Sequence, residues 1–138
     1  MAKVTQFSVG LDNKLGTLAK LCGILKRAKV NINAVTLSMD GECGWVRLVA
    51  SPTVAAKAAL TKAHYNFSTQ RVLKLDVPHR AGALRGVATR LTKAGININY
   101  VYGSNPVGGT SSTLLLSVSD LDRAAELFDD LTTGELAV

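Results

Sequence analysis

The chain is an internal duplication. Sliding the sequence on itself until Gly16 falls on Gly82 also brings Leu18 onto Leu84, Leu25 onto Leu91 and Ala28 onto Ala94. Val30-Asn31-Ile32-Asn33 then lies on Ile96-Asn97-Ile98-Asn99, and Val35 on Val101. A match that keeps order, spacing and polarity over such a stretch means one supersecondary unit used twice, so both halves must share a fold. With 138 residues and 47% hydrophobic content, the chain has material for two small cores, one per half.

Each half opens on the alternation of a half-buried strand: Phe7, Val9 and Leu11 in the first, Leu73, Leu75 and Val77 in the second. Helical spacing follows, with Leu15, Leu18, Leu21, Cys22, Leu25 and Ala28 on one face, matched by Leu84, Val87, Ala88, Leu91 and Ala94. A second strand begins at Val30 or Ile96. A third carries Val46, Leu48 and Ala50, or Leu114, Leu116 and Val118. The turn between these strands is Asp40-Gly41 in one half and Asn105-Pro106-Val107-Gly108-Gly109 in the other, and a hairpin tip is where repeats are expected to diverge in length. Ser51-Pro52 and Ser119-Asp120 then supply capping residues for a second helix. It carries Ala55, Ala56, Ala59, Leu60 and Ala63, or Leu121, Ala124, Ala125, Phe128 and Leu131.

His64 to Gln70 adds a fourth strand to the first half, and the sum is βαββαβ. That order predicts an α+β chain of two ferredoxin-like domains in tandem, residues 1–70 and 71–138, with antiparallel sheets and helices on one face. Tyr65 to Val77 reads as nearly continuous strand, so no flexible linker is expected. Only residues 132–138 follow Leu131, so the last strand of the second half is short, missing or supplied by another segment. Strict alternation puts Val35, Leu37, Trp45 and Val49 on the sheet face away from the helices. That face would be too apolar to stand in water, so a covering surface is expected, and twofold pairing into a homodimer is the simplest one.

The net charge of +6 comes from basic residues spread from Lys3 to Arg123 with acids between them. Lys26, Arg27 and Lys29, the densest group, sit where cations favour a helix C-terminus, which argues against a nucleic-acid footprint. RNA binding on such a sheet would also need aromatic residues on the central strands, where Phe7 and Trp45 are the first half's candidates and Leu73, Leu75 and Leu115 stand in the second. No apolar run approaches the roughly 20 residues that span a bilayer, and the N-terminus lacks a signal-peptide pattern, so a cytoplasmic protein with two reduced cysteines is expected. His64 and His79 fall in different elements and no nucleophile, base and acid recur together. No catalytic residues, metal or cofactor are expected.

Two places in each half combine turn geometry with polar side chains. One is the strand-to-helix loop, Leu11 to Leu18 against Val77 to Leu84, where a glycine permits close approach and free helix amides can receive a carboxylate, or the glycine only permits the turn. The other is the helix-to-strand junction carrying Asn31 or Asn97. Its amide offers both a donor and an acceptor to a zwitterion, or serves local backbone.

The pairing of N-K-L-G-x-L with V-N-I, and of H-R-A-G-x-L with I-N-I, resembles the ACT domain over nearly the whole chain. The arrangement is most similar to stand-alone proteins built of two ACT domains. Such domains are regulatory modules that often hold an amino acid between two copies, using the first loop of one and the first helix or second strand of its neighbour. The resemblance implies a ligand set of Leu11, Asn13, Leu15 and Gly16 with Asn31, and of His79, Ala81 and Gly82 with Asn97. Two departures stand out: the family's loop proline is Leu15 or Ala81 here, and its common aspartate is Asn13 or His79. Asn13 matches a variant of serine-binding members. The expected function is amino-acid binding that shifts conformation or assembly, without catalysis. The alternative is a ligand-independent regulatory subunit of a metabolic enzyme.

Overall fold

The computed structural model describes residues 3–104 and 109–129, and contacts divide the chain into two compact units. One is Thr5–Gln70. The other joins residues 71–129 to residues 3 and 4. The first unit runs through β1 (Lys3–Asp12), α1 (Thr17–Arg27), β2 (Asn31–Asp40), β3 (Cys43–Ser51), α2 (Thr53–Lys62) and the start of β4 (Phe67–Pro78). The second continues from β4 through α3 (Ala83–Lys93), β5 (Ile98–Ser104), β6 (Ser111–Val118) and α4 (Leu121–Asp129). Strand order is β2-β3-β1-β4 in the first unit and β1-β4-β6-β5 in the second, antiparallel in the β1–β3, β2–β3, β4–β6 and β5–β6 pairs. The second unit's strand beside β4 is thus the opening of β1. Lys3 is held there twice: its ammonium meets Asp122 of α4 at 2.6 Å, and its carbonyl accepts from Arg71 at 3.4 Å. The expected turn at 105–108 and residues 130–138, with any last strand among them, lie outside the described residues.

Each unit buries its own apolar cluster between sheet and helices. Phe7, Val9, Leu21, Leu25, Leu48 and Leu60 lie at the centre of the first, and Leu73, Val87, Leu91, Leu116 and Phe128 at the centre of the second. At about 25 cal/mol per Å² of apolar surface, such clusters supply most of what offsets chain entropy. The helices differ locally from the expected faces. Leu15 precedes α1 and is fully exposed, Cys22 points to solvent, and Leu84 is 48% exposed while Ala83, Gly86, Val87 and Leu91 form the buried side of α3. The cap of α2 falls at Pro52, one residue beyond Ser51, whereas Asp120 Oδ1 accepts from Arg123 N at the start of α4.

The face assignment of β2 is also corrected, and the cause is a bulge. Ile32 stands opposite Ala50, but Ala34 stands opposite Val49, leaving Asn33 as an extra residue. Beyond it Val35 faces Leu48 and Leu37 faces Val46. Directly opposed residues share a face, so both lie on the helix side, exposed because β2 is the edge strand. Trp45, opposite Ser38, and Val49, opposite Ala34, keep the other face. The second repeat does the same with Asn99: Ile98 pairs with Val118, Tyr100 with Ser117 and Val101 with Leu116. Each bulged asparagine is tied across the ladder, Asn33 Nδ2 donating to Ser51 Oγ at 3.1 Å and Asn99 Nδ2 to Ser117 Oγ at 3.3 Å.

Candidate functional site

The two strand-to-helix loops are built on one plan. In the first unit Asn13 N donates to Glu42 O at 2.8 Å and Asn13 Nδ2 to Gly41 O at 2.9 Å, clamping the loop to the β2–β3 turn. In the second His79 N donates to Thr110 O at 2.9 Å, the equivalent bond to the β5–β6 connection. Gly16 and Gly82 occupy the N-cap positions of α1 and α3 with φ of 83° and 87°, a left-handed conformation that L side chains rarely adopt. A Cβ at either would meet nothing within 4 Å, so within the chain these glycines answer a backbone demand rather than a packing one.

Neither helix start carries a side-chain cap or an acid in its first turn. The hydroxyl of Thr17 is turned back to Asp12 O and Lys14 O. The first amide of each helix donates within its loop, Thr17 N to Lys14 O and Ala83 N to Arg80 O. The next amides of the turn have no side-chain cap and stand beside a cation, Lys14 in one loop and Arg80 in the other, an arrangement suited to a carboxylate. A cleft of about 520 Å³ lies against the first loop, walled by Lys14, Leu15, Leu18 and, from β2, Leu37 and Met39. Another of about 490 Å³ lies against the second, walled by His79, Arg80, Leu84, Ser112 and Leu114. Asn13 donates one amide hydrogen to Gly41 O and keeps its Oδ1 as an acceptor. His79 Nδ1 sits 3.5 Å from Ser112 Oγ.

Asn13, Leu15 and Gly16 gather at the first cleft, and His79 and Ala81 at the second, with Gly82 as the N-cap beside it. Leu11 is a core residue, 6% exposed. Asn31 and Asn97 stand at the far end of α1 and α3, eleven-residue helices of about 16 Å, and line neither cleft. Asn97 exchanges hydrogen bonds with Ser119, its N donating to Ser119 Oγ and its O accepting from Ser119 N, both at 2.9 Å. Sequence reasoning missed Lys14 and Arg80, whose matching positions in the two repeats were the available signal.

A third cleft, of about 530 Å³, opens in the first unit between the end of β1, the outer side of α1 and the α2–β4 junction. Tyr65 forms part of its wall, and burial, then the neighbouring Cys22, pushes its phenol above the ordinary tyrosine range. Among the described residues no three or more His, Cys, Asp and Glu side chains gather as a metal site, and no helix is long and apolar enough to cross a membrane.

Residues 2–131 match the family model described as an ACT domain pair. Among solved structures, a protein of Bacteroides thetaiotaomicron is similar with a TM-score of 0.87 at 23% identity, covering 99% of this chain and 96% of that one. The ligand-free regulatory subunit of aspartate kinase from Thermus thermophilus is similar with a TM-score of 0.67 at 13% identity, covering 93% and 92%. Aspartokinase III of E. coli, in complex with lysine and aspartate, is similar with a TM-score of 0.58 at 15% identity, covering 95% of this chain and 32% of that one. At these identities the likeness is one of fold. No curated protein matches the chain.

Proposed function

Since the chain belongs to the ACT domain pair family, we propose that it is a non-catalytic regulatory module whose strand-to-helix loops bind a small amino acid and convert occupancy into a change of conformation or assembly. The observation that carries this reading is the repeated loop: uncapped amides at a left-handed glycine, a cation beside them and an adjoining cleft, present in both units. Lys14 or Arg80 with the helix amides receives the carboxylate, and Asn13 Oδ1 accepts from the ammonium. A ligand acts here only through its different affinity for the two states.

Assembly enters because each loop is half of a site. Asn31 and Asn13 of one unit lie at opposite ends of α1, so one small ligand cannot touch both. Leu15, Val35 and Leu37 leave an exposed apolar rim beside the first loop on an edge strand, at 50% exposure for Val35 and 39% for Leu37. A homodimer that joins such rims covers them and brings the Asn31 junction of one copy toward the loop of another. The protein is then a soluble cytoplasmic dimer. The second reading is a regulatory subunit that acts on a metabolic enzyme without a ligand of its own, and the fold of the Thermus thermophilus aspartate kinase regulatory subunit favours keeping it.

Thermal shift of the full chain against each standard amino acid tests the proposal. A ligand at a hundredfold excess over Kd adds about 2.7 kcal/mol to the native state. A selective rise that is lost in Lys14→Ala and weakened in Asn13→Ala and Asn31→Ala supports it. No rise with any amino acid, together with stoichiometric capture of an enzyme, moves the reading to the interaction subunit.

A further inference from the structure

The helix layer of the first unit carries charge that the loop reading does not use. Lys20, Lys26 and Arg27 of α1, Lys29 just beyond it, and Lys57 and Lys62 of α2 are all exposed. Among the described residues none of the six takes part in an ion pair. α1 packs beside α2 and runs antiparallel to it, since one cleft joins Thr17 and Lys20 at the start of α1 to Ala63 and His64 at the end of α2. Over the whole chain acids stand between the cations, but this unit separates the two. No Asp or Glu occurs from residue 13 to 39 or from 43 to 75, and the acids of the unit, Asp12, Asp40 and Glu42, lie at the end of β1 and at the β2–β3 turn. Of these, Asp12 lines the cleft that holds Lys20, at the edge of the layer.

Lys26, Arg27 and Lys62 sit in last helical turns, where the helix dipole favours a cation. Lys20 and Lys57 lie away from those ends. Lys29 holds a left-handed φ of 59° at the position where the second repeat places Gly95, with φ of 72°. Both close the same helix-ending turn, Val30 N donating to Leu25 O at 3.0 Å and Ile96 N to Leu91 O at 2.9 Å. The first repeat thus keeps a lysine where the backbone favours glycine. α4 repeats the buried Ala56 and Leu60 of α2 as Ala124 and Phe128, yet sets Asp122, Glu126 and Asp129 where α2 has Val54, Ala58 and Thr61. An acid-free helix layer is therefore no requirement of the βαββαβ architecture.

We propose that this layer docks double-stranded nucleic acid by its phosphates, without regard to base sequence and independently of the loop clefts. Protein interfaces are depleted in lysine and centred on aromatic or apolar anchors, whereas the residues between these cations are small, among them Ala19, Gly23, Ala58 and Thr61. A helix lying on a lipid surface inserts bulky apolar residues, but of the large hydrophobic residues of α1 and α2 Val54 alone is exposed. Neither helix has an aromatic residue, which removes the stacking that single strands use, and neither has Asn or Gln to read adenine. α1, about 16 Å long, spans roughly five phosphates of one strand.

Fluorescence anisotropy of the full chain with a short labelled DNA duplex of arbitrary sequence, from about 50 to 200 mM salt, tests the proposal. Each cation that meets a phosphate contributes about −0.9 to the slope of log affinity against log salt, so the six together approach about −5. Lys20→Gln with Lys57→Gln is expected to make that slope shallower by about 2 and to weaken binding roughly tenfold. Arg85→Gln with Lys93→Gln on α3 removes the same net charge and should leave the slope unchanged. Lys29→Gly should raise the thermal midpoint while weakening the duplex; a lysine with only a structural role would move the first alone. A wild-type chain that binds no duplex at the lowest salt overturns the proposal, as does a slope that the α1 and α2 variant leaves unchanged or that the α3 variant lowers equally. Capture of phosphatidylserine vesicles, or self-association, through these lysines without duplex binding overturns it too, in favour of a lipid surface or a second copy.

Discussion

Two glycines on this chain should respond to the same substitution for different physical reasons. Gly16 has φ of 83° and open space around the position of a Cβ, so Gly16→Ala adds no clash and carries only the cost of a left-handed L residue, about 1–2 kcal/mol. Gly44 lies in β3 opposite Met39, and a Cβ there would run into Ser38 O and come 2.7 Å from the Met39 Cα. No side-chain rotation relieves contact with backbone. Gly44→Ala must push β2 away from β3, and the loss should exceed that of Gly16→Ala, toward 3 kcal/mol or more. Chemical denaturation followed by circular dichroism measures both. Gly16→Ala should lower the thermal midpoint by about 3–8 °C, Gly44→Ala by more, and Gly16→Asn by less than Gly16→Ala, because asparagine tolerates the left-handed region. Equal losses for Gly16→Ala and Gly44→Ala, or a larger loss at Gly16, would refute the distinction between backbone demand and close approach.

Leu25→Ala and Leu91→Ala occupy matched positions in separate cores, both fully buried, and each should cost about 2–5 kcal/mol in urea denaturation. The hydrogen bond and charge of Lys3 hold the Asp122 carboxyl below its ordinary value of 3.8, so the contact stabilises the fold above that pH and is lost as pH falls through the lowered value. An acid titration of wild type against Asp122→Asn should therefore show a wild-type advantage at neutral pH that disappears in strong acid. Deleting residues 1–4 should speed amide hydrogen exchange at Leu73 and Leu116 of the second unit more than at Val46 and Leu48 of the first.

The repeat made most of this architecture legible, because matched positions reinforce one another where either half alone is ambiguous. Leu21, Leu25, Val87 and Leu91 are buried as their helical spacing predicts. Alternation misled at Val35 and Leu37, since a period of two presumes an unbroken ladder and Asn33 inserts one residue into it. No local property of Asn33 distinguishes a bulge from a regular strand residue; its recurrence at Asn99 was the available sign. Leu15 misled in the opposite way: hydrophobicity suggested a buried helix face, yet the left-handed Gly16 starts α1 only after it and leaves it outside. At the candidate site, Gly16 and Gly82 stood out from loop position, while Asn13 and His79 were singled out by the resemblance to ACT domains. The separation of Asn31 from Asn13 follows from helix length and was available in principle.

The assignment of residues 3 and 4 to the unit that otherwise begins at residue 71 reaches into how the chain is made. Synthesis delivers the N-terminus first, and the first unit has all its residues once Gln70 has emerged. Lys3 must then wait for Arg71 and, later still, for Asp122 before its two partners exist. A cut between residues 70 and 71 would thus leave the downstream piece with a bare β4 edge, and the upstream piece with a short strand end and nothing to join. The duplication is visible as two copies, but only the first is one contiguous segment, and a gene fusion or swap that respects the molecule must carry its first residues along with its second half.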